Sequence, residues 1–148
     1  MPRLSLAIAV ALCPNFALAC GPTPPVFDGD PETGVSISVG RIADRVWEPT
    51  WIDGVAVPDG AGLSLSVSFE GRVEGTTGCN RFTGTADLDA GTLQLGPLAV
   101  TEMACVEPDR MEREAAWLQA LVEARGFVVS PAGLWLMRED GSVAACLE

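Results

Sequence analysis

The feature that most constrains this chain is a strict two-residue alternation broken by frequent turns. Leu63-Ser64-Leu65-Ser66-Val67-Ser68-Phe69 places four apolar residues on one side and three serines on the other. That is the period of a strand with one buried face. Turn signals then recur at Glu70-Gly71, Asp89-Ala90-Gly91, Gly96-Pro97, Ser130-Pro131-Ala132-Gly133 and Glu139-Asp140-Gly141. Between them lie short strand-like runs: Arg72 to Gly75, Ala86 to Leu88, Thr92 to Leu95, Leu98 to Val100, Phe127 to Val129, Leu134 to Met137 and Ser142 to Leu147. Short strands with turns at such spacing indicate an antiparallel sheet or small barrel.

Upstream, Arg45 to Val57 is expected to open the main domain. Trp47 and Trp51 flank Pro49, which marks a broken or edge strand. Asp53-Gly54 is a hairpin turn signal leading into Val55-Ala56-Val57. One helix is predicted, over 108–125. Pro108 suits the first helical turn, and the acids beside it suit the positive N-terminal end. Met111, Ala115, Leu118 and Val122, with Trp117 and Leu121 beside them, give the apolar face expected to pack on the sheet. Gly126 is expected to stop the helix. The fold class is therefore mainly β with one packed helix.

The candidate functional feature is Gly78-Cys79-Asn80-Arg81-Phe82-Thr83-Gly84, answered by Thr101-Glu102-Met103-Ala104-Cys105. Both cysteines stand at turns or strand ends, and the pair reads as a disulfide across the domain. In the chain-entropy model such a link stabilises by roughly 3 kcal/mol. The bracketing glycines suggest positive φ or close backbone approach. Phe82 is expected in the core. Asn80 and Arg81 are candidates for ligand contact, with turn chemistry as the alternative for Asn80.

Composition removes much chemistry. The chain of 148 residues has nine basic residues, all arginine, and contains no His and no Tyr. Without His or Lys there is no Ser-His or Cys-His pair and no lysine Schiff base. Metal binding is narrowed to cysteine or carboxylate ligands, and no metal or cofactor is expected. The net charge of -11 argues against nucleic acid as a partner.

Residues 1–19 read as a secretory signal: Arg3, then the apolar Leu4 to Leu12, then a break at Pro14-Asn15. The apolar run is too short to span a bilayer. Ala17-Leu18-Ala19 suits ordinary signal peptidase. Leu18-Ala19-Cys20 also looks like a lipobox with its two preceding positions exchanged, and the Pro-rich stretch after Cys20 suits a tether. Lipidation of Cys20 is the favoured expectation, giving a membrane anchor. If Cys20 is free instead, Cys20, Cys79, Cys105 and Cys146 form an even set with three connectivities, among them a second disulfide between Cys20 and Cys146. Residues 20–45 are expected to be a tether with an extra strand at Val35 to Val39, and 46–148 the main domain. Asp28-Gly29-Asp30-Pro31-Glu32 reads as a solvated turn.

GCNRFTG, TEMAC, the acidic helix with Met111 and Glu114, and LWLMREDG together resemble the META domain of the heat-shock protein HslJ type. The resemblance covers roughly Val46 to Leu147. It implies a small barrel-like antiparallel sheet closed by one helix, usually exported and often a lipoprotein. It further implies a link to heat shock and novobiocin resistance without an agreed enzymatic activity. The chain departs from the pattern in its exchanged lipobox, the N-terminal strand and Cys146.

Two functions follow as expectations. The first is a non-catalytic module of the cell envelope, outer-membrane or periplasmic, acting on an unknown envelope protein in stress response. The alternative is a barrel binding a small apolar ligand, lined by Trp47, Trp51, Phe69, Phe82, Trp117 and Trp135. Thioredoxin-like exchange is unsupported, because the chain has no C-x-x-C.

Overall fold

The computed structural model describes residues 20–26, 39–89 and 91–148. The signal, the Asp28 to Glu32 turn and most of the Val35 to Val39 strand lie outside the described residues. Val39 itself begins a short helix, α1 (Val39–Ile42).

Among the described residues, eleven strands form one antiparallel sheet. In chain order they are β1 (Val46–Trp47), β2 (Pro49–Ile52), β3 (Val55–Ala56), β4 (Leu63–Val67), β5 (Arg72–Thr77), β6 (Arg81–Asp89), β7 (Thr92–Leu95), β8 (Ala99–Val100), β9 (Gly126–Ser130), β10 (Gly133–Met137) and β11 (Val143–Leu147). The lateral order is β1-β4-β5-β6-β7-β9-β10-β11-β2-β3, and β8 adds to β6. β1 lies at one end of this path and β2 close to the other, yet one residue, Glu48, separates them in the chain. The sheet therefore curls on itself as a half-barrel. The predicted break at Pro49 is this corner: β1 pairs with β4 and β2 with β11. Glu48 and Glu148 exchange two backbone hydrogen bonds of 2.9 Å at the corner, while Pro49, lacking an N–H, takes the first position of its strand.

β6 is long because it serves three neighbours, the short β8 lying against Phe82 and Thr83. Arg81 to Thr85 pair with β5, and Ala86 to Asp89 pair with β7. Asp53 (φ 45°) and Gly54 (φ 90°) make the expected two-residue turn, pairing Ile52 with Val55. β4 buries Leu63, Leu65 and Val67 as its alternation predicts. Phe69 departs from that pattern: it falls past the end of β4, in the turn closed by Gly71 N–H on the Ser68 carbonyl (3.0 Å), and is exposed.

The helix α2 spans Pro108–Glu123, with Glu107 at its N-cap. Its buried residues are Trp117, Ala120 and Leu121, continued by Ala124. The expected stripe is thus corrected by about one position. Met111 and Val122 are exposed, because Trp117 and Leu121, the bulkiest pair one turn apart, set the rotation of the helix. Glu114 stands one turn before Trp117 on this inward side, half-buried. The stop is also corrected. The helix ends at Ala124 with extended backbone (φ -62°, ψ 132°), and Gly126 opens β9 instead. A Cβ there would stand 3.0 Å from the Gly91 carbonyl.

Trp47, Phe82 and Trp117 are each at most 1% exposed and fill the core between sheet and helix, with Leu65, Leu93, Leu121, Leu134, Leu136 and others. Each such burial is worth roughly 1.5–3 kcal/mol. The indole N–H of Trp117 has no partner among the described residues. A second cluster lies on the opposite face of β10 and β11: Cys20, Trp135, Val143 and Cys146, flanked by Trp51 and Val128. It exists because Cys20 and its neighbours lie over that face, where Trp135 Nε1–H donates to the Gly21 carbonyl at 3.0 Å. Covered on both faces, β10 and β11 can be apolar at successive positions.

Arg138 ties three elements together. Its Nε donates to Glu123 at the end of α2 (2.6 Å), its Nη2 to Asp53 in the β2–β3 turn (3.0 Å), and its Nη1 to the Val143 carbonyl (2.9 Å). The Arg138 hydrogen bond, then that from Gln119, holds the Glu123 carboxyl below its ordinary value of 4.5. A lowered folded-state pKa contributes stability above the unfolded value, and that contribution disappears as pH falls through the folded value. Glu123→Gln is expected to melt below wild type at neutral pH, with the gap closing under acidification below 4.5. Thermal melts of both proteins across that range check this; a gap independent of pH contradicts the ion-pair account.

Candidate functional site

The segment between β5 and β6 is a tight reversal. Gly78 takes φ 89°, and a Cβ there would meet the Ala61 carbonyl oxygen at 2.7 Å. Thr77 N–H donates to the Asn80 carbonyl (2.8 Å), and Asn80 N–H donates back to Thr77 Oγ1 (3.0 Å). Gly84 has the other use a glycine offers: a Cβ there would lie 2.8 Å from Leu98 Cδ2. The pair thus divides the two expected roles, positive φ and close approach.

Cys79 is joined to Cys105 in a disulfide, with Cα atoms 5.7 Å apart. Cys20 is joined to Cys146, with Cα atoms 5.6 Å apart. The second link closes a loop of 126 positions, worth about 5 kcal/mol in the chain-entropy model. A sulfur held in this bond cannot carry a thioether-linked lipid. Cys20 is 8% exposed and Cys146 fully buried, whereas Cys79 and Cys105 are half-buried.

Asn80 is 4% exposed and its amide is saturated from within. The Nδ2 group donates to the Met103 carbonyl (3.0 Å) and to the Glu114 carboxylate (3.0 and 3.1 Å). Oδ1 accepts from Thr101 Oγ1–H (2.9 Å) and Met103 N–H (2.7 Å). A buried primary amide has two donors and two acceptor positions, and all four are occupied. Asn80 is therefore a hub that binds the β5–β6 turn, the segment before α2 and α2 itself, leaving no group for an outside ligand. Arg81 begins β6, with its side chain on the exposed face beside Glu74 and Thr83. Adjacent in sequence, the two candidates face different surroundings: Asn80, in the turn, is buried, and Arg81, at the strand start, is exposed.

The site residue that sequence reasoning did not put forward is Glu114, quoted only among the residues carrying the resemblance. Its carboxylate accepts from Thr77 Oγ1–H (2.9 Å) and from Asn80, and it lies 3.6 Å from the Cys105 sulfur. The available signal was an acid on the Trp117 phase of the helix, hidden by the misplaced apolar stripe. Beside it runs a groove lined by Met103, Ala104, Met111, Ala115 and Leu118, of about 240 Å³. Of the six aromatics expected to line a ligand cavity, Trp47, Phe82 and Trp117 fill the core, Trp51 and Trp135 belong to the second cluster, and Phe69 is exposed.

All the strands, from β1 to β11, and the helix α2 fall within residues 40–148, which match the model of the META domain. The chain belongs to the META domain family. Two solved structures share the fold. One, determined by NMR, is 22% identical, covers 74% of this chain and 94% of its own, and superposes with a TM-score of 0.59. The other, the NMR structure of a protein from Burkholderia xenovorans, is 25% identical, covers 92% of this chain and 97% of its own, with a TM-score of 0.55. No curated protein matches the sequence.

In this META domain the hub makes a specific energetic demand. Removing the Asn80 amide takes away the partner of the Met103 N–H and of the Met103 carbonyl, and leaves the Glu114 carboxylate with Thr77 Oγ1–H in place of two side-chain donors. Unsatisfied buried groups cost about 1–3 kcal/mol each, more when charged. Asn80→Ala is expected to lose at least about 2 kcal/mol in urea unfolding, against about 0.5 kcal/mol or less for Arg81→Ala. Equal losses would remove the distinction between hub and surface residue.

Proposed function

We propose that this META domain protein is exported and acts in the bacterial cell envelope as a non-catalytic module of the HslJ type. It works by contact with other envelope components in stress response or envelope maintenance. The observation that carries the reading is the Cys20–Cys146 disulfide. Signal peptidase cleavage after Ala19 would leave Cys20 as the first residue of the exported chain, and an oxidising compartment is where such links persist. The buried sulfur and the Trp135–Gly21 hydrogen bond support a soluble periplasmic form over the lipid anchor. The saturated Asn80 amide and the lack of His and Lys support the non-catalytic part. A net charge of -11 keeps nucleic acid out of the partner set. For a small apolar ligand, the support left is a surface groove of about 370 Å³ between the β2–β3 hairpin and α2, whose apolar floor of Ile52, Val55, Val57 and Ala116 is bordered by the charged Asp53, Asp109, Glu112 and Arg113.

Intact mass spectrometry of the secreted chain tests the compartment and the form. The expected mass is that of a chain starting at Cys20, lighter by the hydrogens of two disulfides and restored by reductant. An acyl adduct on Cys20 would replace the soluble form with the anchored one; an uncleaved chain in the cytoplasm would defeat the reading.

The stress role has its own test. A strain lacking the gene should lose viability relative to its parent under heat or novobiocin, and recover with the wild-type copy. Growth equal to the parent under both conditions would remove that role.

A further inference from the structure

The Cys79 and Cys105 sulfurs and a Glu114 carboxylate oxygen all lie within 4.8 Å of one another. Three separate pieces of chain deliver them: the β5–β6 turn, the segment preceding α2, and α2 itself. We propose that the reduced protein binds one borderline-soft divalent ion, zinc in type, through the Cys79 and Cys105 thiolates and the Glu114 carboxylate. The fourth position faces the groove under Met103 and Met111.

The distances suit such an ion. Zn–S near 2.3 Å and Zn–O near 2.1 Å in a tetrahedron place sulfur and oxygen about 3.6 Å apart. Cys105 Sγ and Glu114 Oε2 are 3.6 Å apart. The two sulfurs must separate to roughly 3.7 Å, within reach of side-chain rotation on Cα atoms 5.7 Å apart. Metal-bound carboxylates need outer partners that fix their orientation. Thr77 Oγ1 and Asn80 Nδ2 already hold Glu114 in this way, at 2.9 Å and 3.0 Å. Two thiolates and a carboxylate crowd three negative charges together, and a divalent ion would offset two of them. Met103 and Met111, both more than half exposed, place thioethers at the rim, which favours softer ions over magnesium or calcium.

The oxidised disulfide closes this site and a dithiol opens it. The dithiol passes two electrons and two protons to the Cys79–Cys105 link, giving two thiols and its own disulfide. Metal binding then displaces both thiol protons to solvent. Access separates this link from the other: thiol exchange requires an approachable sulfur, and Cys79 and Cys105 are half-buried while the Cys20–Cys146 pair is buried. The site is thus redox-gated, and the gating stands whether or not the envelope role holds.

The test uses the full mature chain, reduced with a phosphine and titrated with zinc against a chromophoric chelator, or with cobalt(II) followed by absorbance. The reduced wild type should take up one ion per chain with a thiolate-to-cobalt charge-transfer band, and the oxidised protein none. Cys79→Ser should lose binding. Glu114→Gln, which keeps both sulfurs, should weaken it by at least about tenfold, the scale at which even outer-shell partners register. Zinc should raise the thermal midpoint of the reduced protein and leave that of the oxidised protein unchanged. The proposal is overturned by a reduced chain that ignores zinc in both titration and melt, by uptake in the oxidised protein, or by equal affinity in Glu114→Gln.

Discussion

β11 is the strand on which the architecture depends. It is paired along one edge with β10 and along the other with β2, and all five of its residues are buried. A strand in that position has no free hydrogen-bonding edge and no wet face. Its neighbours must therefore supply cover on both sides. α2 and the core residues cover one side, and the stretch around Cys20 covers the other. The corner between β1 and β2 follows from the same requirement. Glu48 and Glu148 share two backbone hydrogen bonds, so the sheet ends where its first residues meet its last. Curling satisfies edges that a flat sheet of this width would expose.

The polar hub obeys the same physics on a smaller scale. The Asn80 turn has backbone groups that neither β5 nor β6 can pair. Thr77 answers the Asn80 N–H, while the Asn80 amide answers the Met103 backbone of the segment before α2, and Glu114 answers the amide. Because an unpaired buried polar group is costly, a network of this kind either closes completely or is not retained. Closure here brings a carboxylate against two sulfurs. The placement of Glu114 is thus first a structural necessity, and the chemistry available to it follows from that.

Local signals in the chain were accurate where the determining physics is local. The Asp53-Gly54 turn, the β4 alternation, the Pro108 helix start and the two glycines around CNRFT all depend on backbone sterics or on a period of two. The misplacements were global in origin. The Met111 to Val122 stripe is a good amphipathic pattern, but two faces of α2 are apolar enough to pack. Helical periodicity supplies no rule for choosing between Met111 and Trp117; the fit of Trp117 and Leu121 into the sheet chose. Phe69 continued an alternation that its own turn had already ended. Gly126 looked like a helix stop because glycine often is one, whereas the close approach of Gly91 required it in a strand.

By itself the sequence determined a β-rich antiparallel domain with one helix, its turns, and Cys79 as a bridge candidate for Cys105, since those rest on spacing and on residue chemistry. It left Cys20 open between lipid and disulfide, because a cysteine count allows several pairings. It left Asn80 open between ligand and structure, because a free and a saturated amide have the same letter. Only the tertiary structure decided which groups share a site. The curl of the sheet brings Cys20 beneath β11, and the rotation of α2 turns Glu114 inward, and both are outcomes of packing between segments far apart in the chain.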